Sequence, residues 1–210
     1  MRRRYSISRT ALREAYSKLA AKGLIHARQK MGTSVRPQSA WNMLDPEVLT
    51  WHLQTMPAAE IATDLYALRR MVEPPAAAMA ARNRNDEAVA QINAAYADMR
   101  KCAKSEVELI EADLRFHLAI LAATRNHFIG TFSGLIHAAM LSTFRISWRG
   151  AEGILEERLL QHGAVAEAIA KCDPNLARLR MEELLDDSFD DVREAIGTKR
   201  RGRTGDRIGV

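Results

Sequence analysis

The sequence has 210 residues and lacks the features that define a secreted or membrane protein. It contains two cysteines, Cys102 and Cys172, which excludes a disulfide framework and a cysteine-rich zinc finger. No apolar run approaches the roughly 18 residues that a membrane span needs. The basic start, Met1 to Tyr5, has no apolar stretch after it and is not a signal peptide. We expect a cytoplasmic protein with no membrane partner.

Strand signals are also scarce beyond residue 40, because the β-branched residues are dispersed and no alternating run ends in an Asn-Gly or Asp-Gly turn. Helical periodicity is common instead, with apolar residues at three- and four-residue steps over about 61–81, 106–123, 128–148, 155–171 and 174–195. Asp173 is a suitable N-cap for the last segment, with Pro174 at its first position. The pattern predicts an all-α body of six or seven antiparallel helices.

The charge is unevenly distributed, although the formal net charge of the whole chain is only +5. Residues 1–40, which we call the head, hold ten Lys/Arg and one acid. Residues 197–210 are also basic and predict a disordered tail, whereas the segment between them is net acidic. A basic head on an acidic body favours a polyanion as the partner of the head alone.

The head itself predicts a helix and a small hairpin. Ser8 to Lys22 has one apolar face, and Gly23 follows where a C-terminal cap would sit. Two short extended runs, 24–28 and 33–35, come next, with Lys30 at the turn between them. Arginines near a helix start can meet phosphates and guanine edges in a major groove, and a basic hairpin tip can follow the DNA backbone. On charge alone, a solvated basic helix explains the segment equally well.

Three motifs follow one another in the head: Ser8-Arg9-Thr10-Ala11-Leu12-Arg13-Glu14-Ala15, Gly23-Leu24-Ile25 and Gly32-Thr33-Ser34-Val35. Together they resemble the recognition helix and wing of the GntR family of bacterial winged-helix repressors. That resemblance implies a homodimer that binds operator DNA. Only Arg2 to Ile7 precede the first motif, so we expect a truncated winged helix-turn-helix with weak DNA binding. The DNA-binding residues it implies are Ser8, Arg9, Thr10, Arg13, Lys30 and Gly32.

The body contains a candidate metal site. Asp113 and His117 are four residues apart on one predicted helix, so both side chains project from the same face. His162 lies on a later, mostly apolar helix. Carboxylate and imidazole ligands suit Zn²⁺, Ni²⁺, Mn²⁺ or Fe²⁺. Taken alone, such an Asp–His pair is more often a surface or capping pair.

Four sequence motifs contain the candidate ligands or precede them in the chain: Leu68-Arg69, Val72-Glu73-Pro74, Asp113-Leu114-Arg115-Phe116-His117, and His162 followed by Ala168-Ile169. They resemble the all-helical FCD effector domain of the FadR subfamily, over about residues 58–195. By this resemblance, the metal ligands are Asp113, His117 and His162. Leu184 occupies the position of the family's usual fourth ligand, a histidine. The resemblance implies either a divalent metal (Zn, Ni or Mn) with a coordination position open to water or effector, or a site without metal.

Three arginines are candidate effector-binding residues: Arg69, Arg145 and Arg149. The simplest reading of each is a surface salt bridge of little energetic value. An arginine turned inward can instead bind an effector carboxylate through two parallel hydrogen bonds. Arg69 matches the family arginine that points into the cavity. We expect Arg115 to be solvated, and His137 to be packed in the bundle or at a subunit contact.

The junction between head and body has a distinctive sequence, Trp41-Asn42-Met43-Leu44-Asp45-Pro46-Glu47-Val48-Leu49-Thr50-Trp51. Two tryptophans ten residues apart are suited to locking the two domains together. The segment resembles the linker of the galactonate-operon repressor group within the same family. That resemblance implies a sugar-acid effector, an aldonate such as galactonate.

These features predict a ligand-responsive transcriptional repressor of sugar-acid catabolism genes, and not an enzyme. We expect a partial winged helix at 1–37, a linker at 38–57, the effector domain at 58–196 and the tail at 197–210. Two alternatives stay open. One is a metal-dependent enzyme on a helical bundle, because an open Asp/His/His site can activate water, although no further inward general base accompanies it. The other is an effector-binding dimer without DNA-binding function.

Overall fold

Helices make up most of the chain that the computed structural model describes, which is residues 7–28, 31–102, 105–147 and 155–205. The chain divides into two compact units, residues 1–55 and residues 56–210. Among the described residues, no helix is both long and apolar enough to cross a membrane.

The first unit is built from one helix, one hairpin and one short helix. Its elements are α1 (Arg9–Ala21), β1 (Ile25–Arg28), β2 (Gly32–Val35), a 3₁₀ turn (Gln38–Ala40) and α2 (Pro46–Leu53). The strands are antiparallel, with Ile25 opposite Val35 and Arg28 opposite Gly32. The helix and hairpin predicted for the head are therefore confirmed.

Local hydrogen bonds explain where α1 begins and ends. The Ser8 hydroxyl accepts a hydrogen bond from the backbone N–H of Ala11 at 3.1 Å, as an N-cap does. At the other end, Gly23 has a φ of +76°, the left-handed conformation that favours glycine. Leu24 then donates its backbone N–H to the Leu19 carbonyl at 3.0 Å, which closes the helix and turns the chain into β1.

We expect Gly23→Ala to destabilise the first unit. A Cβ atom at this position would lie 2.7 Å from the Ala40 carbonyl oxygen, and the left-handed backbone costs a non-glycine residue roughly 1–2 kcal/mol. Gly32 is the matched control, because its φ is +87° but its Cβ would meet nothing within 4 Å. Amide hydrogen exchange of α1 should therefore accelerate more in Gly23→Ala than in Gly32→Ala. Equal acceleration would show that the contact with Ala40 is unimportant.

The segment predicted as a linker is structured together with the head as far as residue 55. Lys22, at the end of α1, forms ion pairs with Asp45 at 2.6 Å and Glu47 at 2.7 Å. Its ammonium also lies 5.9 Å from the centroid of the Trp51 ring. The Trp41 indole donates a hydrogen bond to the Arg36 carbonyl at 3.0 Å. The recorded partners of both tryptophans thus belong to the first unit.

The second unit is a bundle whose described part contains seven helices, which confirms the predicted all-α body. They are α3 (Ala58–Arg82), α4 (Asp86–Lys101), α5 (Glu106–Ala123), α6 (His127–Gly130), α7 (Ser133–Ser147), α8 (Leu155–Ala170) and α9 (Pro174–Gly205). Short polar side chains precede several of them. Asn85, Ser105 and Asn126 each accept a backbone N–H at a helix start. Asp173 accepts the N–H of Leu176 at 2.9 Å, as its predicted capping role requires.

The helix bounds differ from the sequence pattern in three places. The apolar periodicity of the sequence did not reveal helix α4, because this helix buries only Ile92, Ala95 and Met99. The predicted helix over 128–148 is divided into α6 and α7. Helix α9 continues to Gly205, where a disordered tail was expected from residue 197 onward. Basic residues near a helix C-terminus interact favourably with the helix dipole, which is consistent with the longer helix.

The apolar core lies where α4, α5, α8 and α9 meet the C-terminal half of α3. Phe116 of α5 and Met181 of α9 are among its fully buried side chains. A buried arginine also joins two of these helices, because Arg158 of α8 binds Asp191 of α9 at 2.8 Å and Asp187 at 3.3 Å. This packing fixes the facing sides of α3, α5 and α8, from which the candidate site is built.

Candidate metal and effector site

Three predicted ligands meet inside the second unit. Asp113 and His117 lie one turn apart on α5, and His162 approaches from α8. All three are buried, and one ligand atom from each lies within 4.8 Å of the others. The Oδ1 atom of Asp113 is 2.7 Å from Nε2 of His162 and 3.5 Å from Nε2 of His117. The bundle therefore brings together residues that are far apart in sequence.

An aromatic residue packs beside both imidazoles. The Phe116 ring meets His117 edge-on with centroids 5.6 Å apart, and it meets His162 at 5.1 Å. The two imidazoles are themselves nearly perpendicular at 5.5 Å. Because Phe116 is fully buried, this side of the cluster is closed to water. Electrostatic interactions are stronger in such a site than at the protein surface.

The hydrogen bonding of the cluster fits a bound cation. Two facing atoms, Asp113 Oδ1 and His162 Nε2, are buried without a partner of hydrogen-bond geometry. His117 Nδ1 also lacks one, but it lies on the outer edge of its ring, beside Glu73. The short Asp113–His162 contact is thus poorly directed for a hydrogen bond, although the two atoms are close. Buried polar atoms without partners are costly and uncommon. One carboxylate with two imidazoles is a donor set that suits Zn²⁺ and similar divalent ions.

Each histidine is also contacted on its other nitrogen. Nδ1 of His162 lies 2.6 Å from the Arg158 carbonyl oxygen, which can only accept a hydrogen bond. Nδ1 therefore acts as the donor to this carbonyl, and Nε2 is the nitrogen that faces Asp113. Nδ1 of His117 lies 2.5 Å from Oε2 of Glu73. Such outer contacts on ligand histidines are typical of protein metal sites.

Arg69 points into the bundle, as its sequence match predicted. Its Nε atom is 2.6 Å from Oε1 of Glu73, and its Nη2 atom is 3.4 Å from Oε2. Nη2 also lies 3.4 Å from Nε2 of His117. Arg69 is only 5% exposed and Glu73 is fully buried, so a weak surface salt bridge is the wrong description of this pair. Sequence reasoning did not give Glu73 a role at the site, although its four-residue spacing from Arg69 was visible.

Opposing charges shift the pKa values of the buried groups. Burial alone would raise the pKa of Glu73, but Arg69 and His117 outweigh it and lower the value to about 2. Burial would lower the pKa of His117, but Glu73 and Asp113 raise it to about 9. Burial would also raise the pKa of Asp113, but His162 and His117 hold it well below its usual range. In the absence of metal, His117 is therefore protonated at neutral pH.

These shifts predict opposite pH trends for folding and for metal binding. The stability from His117 is complete below pH 6.5 and is lost as the pH rises through about 9. The stability from Glu73 is complete above pH 4.5 and is lost as the pH falls through about 2. The unfolding free energy of metal-free protein should therefore fall between pH 6.5 and pH 9.

Metal affinity should rise over the same range, by up to about tenfold per pH unit, because the ion must displace a proton from His117. Urea unfolding of metal-free protein and chelator competition would measure the two trends. His137→Ala, which changes an exposed histidine, should keep both profiles. Constant affinity across this range would contradict the assignment of His117 as a ligand.

The remaining candidates of the body are placed as follows. Arg149 lies outside the described residues, and Arg145 lies in α7 without a described side chain. Leu184 is buried in the apolar core. Arg115 is exposed near Asp98, as expected for a solvated residue. His137 is exposed on α7, so it does not pack inside the bundle, and the alternative of a subunit contact stays a prediction.

The candidate DNA-contacting residues of the head are exposed where they are described. Arg9, Thr10 and Arg13 lie on the first turns of α1, directly after the Ser8 cap. Gly32 starts β2 in the left-handed conformation. Lys30 lies outside the described residues.

Comparison with known proteins identifies both parts of the chain. The GntR family of bacterial regulatory proteins matches residues 1–35, and the FCD domain matches residues 64–187. The galactonate operon transcriptional repressor of Escherichia coli (strain K12) is 31% identical over 173 residues, which are 82% of this chain and 76% of that protein. The uncharacterized HTH-type transcriptional regulator YieP of the same organism is 31% identical over 183 residues, covering 86% of this chain and 78% of that protein.

Solved structures have the same fold. The Streptococcus agalactiae GntR structure aligns with a TM-score of 0.59 at 18% identity, over 90% of this chain and 85% of that one. A GntR regulator from Rhodococcus sp. RHA1 aligns with a TM-score of 0.54 at 20% identity, over 92% of this chain and 84% of that one. The relatives are transcriptional regulators and not enzymes. With an FCD domain after a GntR-type head, the chain belongs to the GntR family of bacterial transcriptional regulators.

Proposed function

We propose that this regulator is a repressor whose FCD domain binds a small sugar acid through Arg69 and a divalent metal. Asp113, His117 and His162 would hold the ion. One observation carries the proposal: the buried Arg69 guanidinium lies 3.4 Å from Nε2 of His117 within a buried Asp/His/His cluster. A site that combines an arginine with these ligands is suited to an anionic oxygen ligand.

The arginine has donors to spare for an effector. A guanidinium offers five N–H donors in a planar fork, and the recorded contacts of Arg69 involve its Nε and Nη2 atoms. An effector oxygen close to Nε2 of His117 would therefore lie within reach of Arg69. A bound ion would supply a coordination position for a carboxylate or 2-hydroxyl oxygen of the effector. Arg69 would then pair with the charge of the carboxylate.

The effector class is inferred from the relatives and the linker. One relative is named a galactonate operon repressor, and the segment 41–51 resembles the linker of that group. We infer an aldonate such as galactonate. Arg145 and Arg149, at the end of α7 and beyond it, are proposed as further carboxylate- or hydroxyl-binding residues. The regulated genes would serve sugar-acid catabolism.

We propose that a homodimer of this regulator binds operator DNA. Arg9, Thr10 and Arg13 are exposed at the start of α1, where a recognition helix presents base-reading side chains. Ser8, Lys30 and Gly32 would contribute contacts to the DNA backbone. A two-fold dimer matches a pseudo-palindromic operator, so each head would read one half-site. Effector binding would shift the dimer toward a state with lower DNA affinity.

Within this proposal, residues 1–37 are the DNA-binding part and 38–57 are the linker. The effector domain spans 58–196, followed by the tail from 197. The division at residue 37 is functional, since the fold continues as one unit to residue 55.

Selection of bound sequences from a random duplex DNA library tests the function directly. We expect a dimer by light scattering, weak enrichment of an inverted repeat, and release of the selected DNA on addition of galactonate. Arg9→Ala with Arg13→Ala should abolish enrichment, whereas Arg178→Ala, at an exposed ion pair on α9, should not. A monomer that enriches no sequence and binds DNA with only a steep salt dependence would contradict the repressor.

A further inference from the structure

The buried Glu73 carboxylate of α3 contacts both the arginine proposed to bind the effector and one of the proposed metal ligands. Its Oε1 atom is 2.6 Å from Nε of Arg69, the effector arginine. Its Oε2 atom is 2.5 Å from Nδ1 of His117, the metal ligand. Glu73 is fully buried, so water does not replace either contact. One side chain therefore contacts both recognition elements.

We propose that Glu73 is a positioning residue for both His117 and Arg69. It contacts Nδ1 of His117 from outside the cluster, so that Nε2 of the same ring faces Asp113 and His162. It also contacts Nε of Arg69, so that Nη2 of Arg69 stays next to Nε2 of His117. The inference rests on the proposed function, because positioning a ligand matters only where an ion binds.

Glu73 is not itself one of the candidate metal ligands. The atoms that lie within 4.8 Å of one another come from Asp113, His117 and His162, and Glu73 is not a member of that group. An imidazole ring has two nitrogens on different edges, so a contact at Nδ1 orients the ring and leaves Nε2 available. The Arg158 carbonyl also contacts His162 at Nδ1, in that case with the geometry of a hydrogen bond. Both histidines are thus held at Nδ1 and present Nε2 to the Asp113 carboxylate.

A carboxylate does more at this position than a neutral acceptor. It makes the ligand nitrogen on the opposite edge more basic, and loss of such an outer contact typically lowers metal affinity by about 10–100-fold. Glu73 has a second oxygen, which fixes the Arg69 fork at the same time. A single residue on α3 thereby sets the separation between the arginine and the metal ligand.

The test is Zn²⁺ affinity of Glu73→Gln, measured by competition with a chromophoric chelator, together with the visible absorption of the Co²⁺-loaded protein. Glutamine keeps the size of the side chain but removes its charge. We expect Zn²⁺ affinity to fall by about 10–100-fold and the Co²⁺ spectrum to change. The matched control is Asp186→Asn, which removes an exposed carboxylate paired with Arg70, the neighbour of Arg69 on α3. Its Zn²⁺ affinity should equal that of the wild type.

A second variant separates positioning from a role in stability alone. Arg69→Met combined with Glu73→Gln removes both charges of the buried pair, so no charge is left uncompensated, and it should show the same loss of Zn²⁺ affinity. A lower melting temperature with unchanged affinity and Co²⁺ spectrum in both variants would overturn the inference. If the wild type itself bound neither ion, the metal part of the proposed function would fail first, and this inference with it.

Discussion

Replacing His162 by alanine is expected to lower divalent-metal affinity by more than about 100-fold, the upper limit for losing an outer-shell contact. His162 is one of three ligands, and its Nε2 atom lies 2.7 Å from the Asp113 carboxylate. Its loss leaves an ion with two protein ligands. The response to galactonate should disappear together with the metal, because the effector would complete the coordination of that ion.

Metal analysis of the purified variant and thermal unfolding with galactonate measure both effects. In the wild type, the melting temperature should rise with galactonate concentration, because a ligand that binds only the folded state stabilises it by mass action. The control is His137→Ala, on the exposed side of α7, which should retain the metal and the response. A His162→Ala protein with full metal content would remove His162 from the site.

The second large effect is expected at the buried ion pair of α3. Arg69→Met should destabilise the fold by about 3–5 kcal/mol, the usual cost of leaving one member of a buried pair uncompensated. The uncompensated group is Glu73, whose Oε1 atom is 2.6 Å from the arginine. The same variant should lose roughly 2–5 kcal/mol of effector binding, because it removes the partner of the carboxylate.

A double-mutant cycle separates the two consequences. Adding Glu73→Gln to Arg69→Met should restore much of the unfolding free energy, because no buried charge is then left unpaired, but it should not restore galactonate binding. The control is Arg70→Met, which breaks an exposed pair with Asp186 and should cost no more than about 1 kcal/mol. Urea unfolding and calorimetry give the two quantities. Undiminished galactonate affinity in Arg69→Met would refute the role of Arg69.

The local features of the fold were predictable because they depend on neighbouring residues. Caps such as Ser8 and Asp173, and the turn at Gly23, follow from hydrogen-bonding capacity and backbone freedom. The pair Asp113 and His117 follows from helical spacing. Helix α4 was missed because its buried face is narrow, although Asn85 signalled its start.

The tertiary relations could not be predicted from spacing alone. His162 was joined to the other ligands only by the family resemblance, since nothing in its own helix indicates a partner on α5. The burial of Glu73 and Arg158 depends on which helices pack against them, and the spacing of residues along the chain does not reveal it. The ion pairs of Lys22 with Asp45 and Glu47 likewise show why the expected linker is ordered with the head.

We propose that a metal held by Asp113, His117 and His162 takes part, with Arg69, in binding a sugar acid. Calorimetric titration of galactonate into metal-stripped protein, and into the same preparation reloaded with Zn²⁺ or Mn²⁺, tests it most directly. We expect saturable binding to the reloaded protein and a loss of most of the affinity in the stripped protein. Equal affinity in both would contradict it.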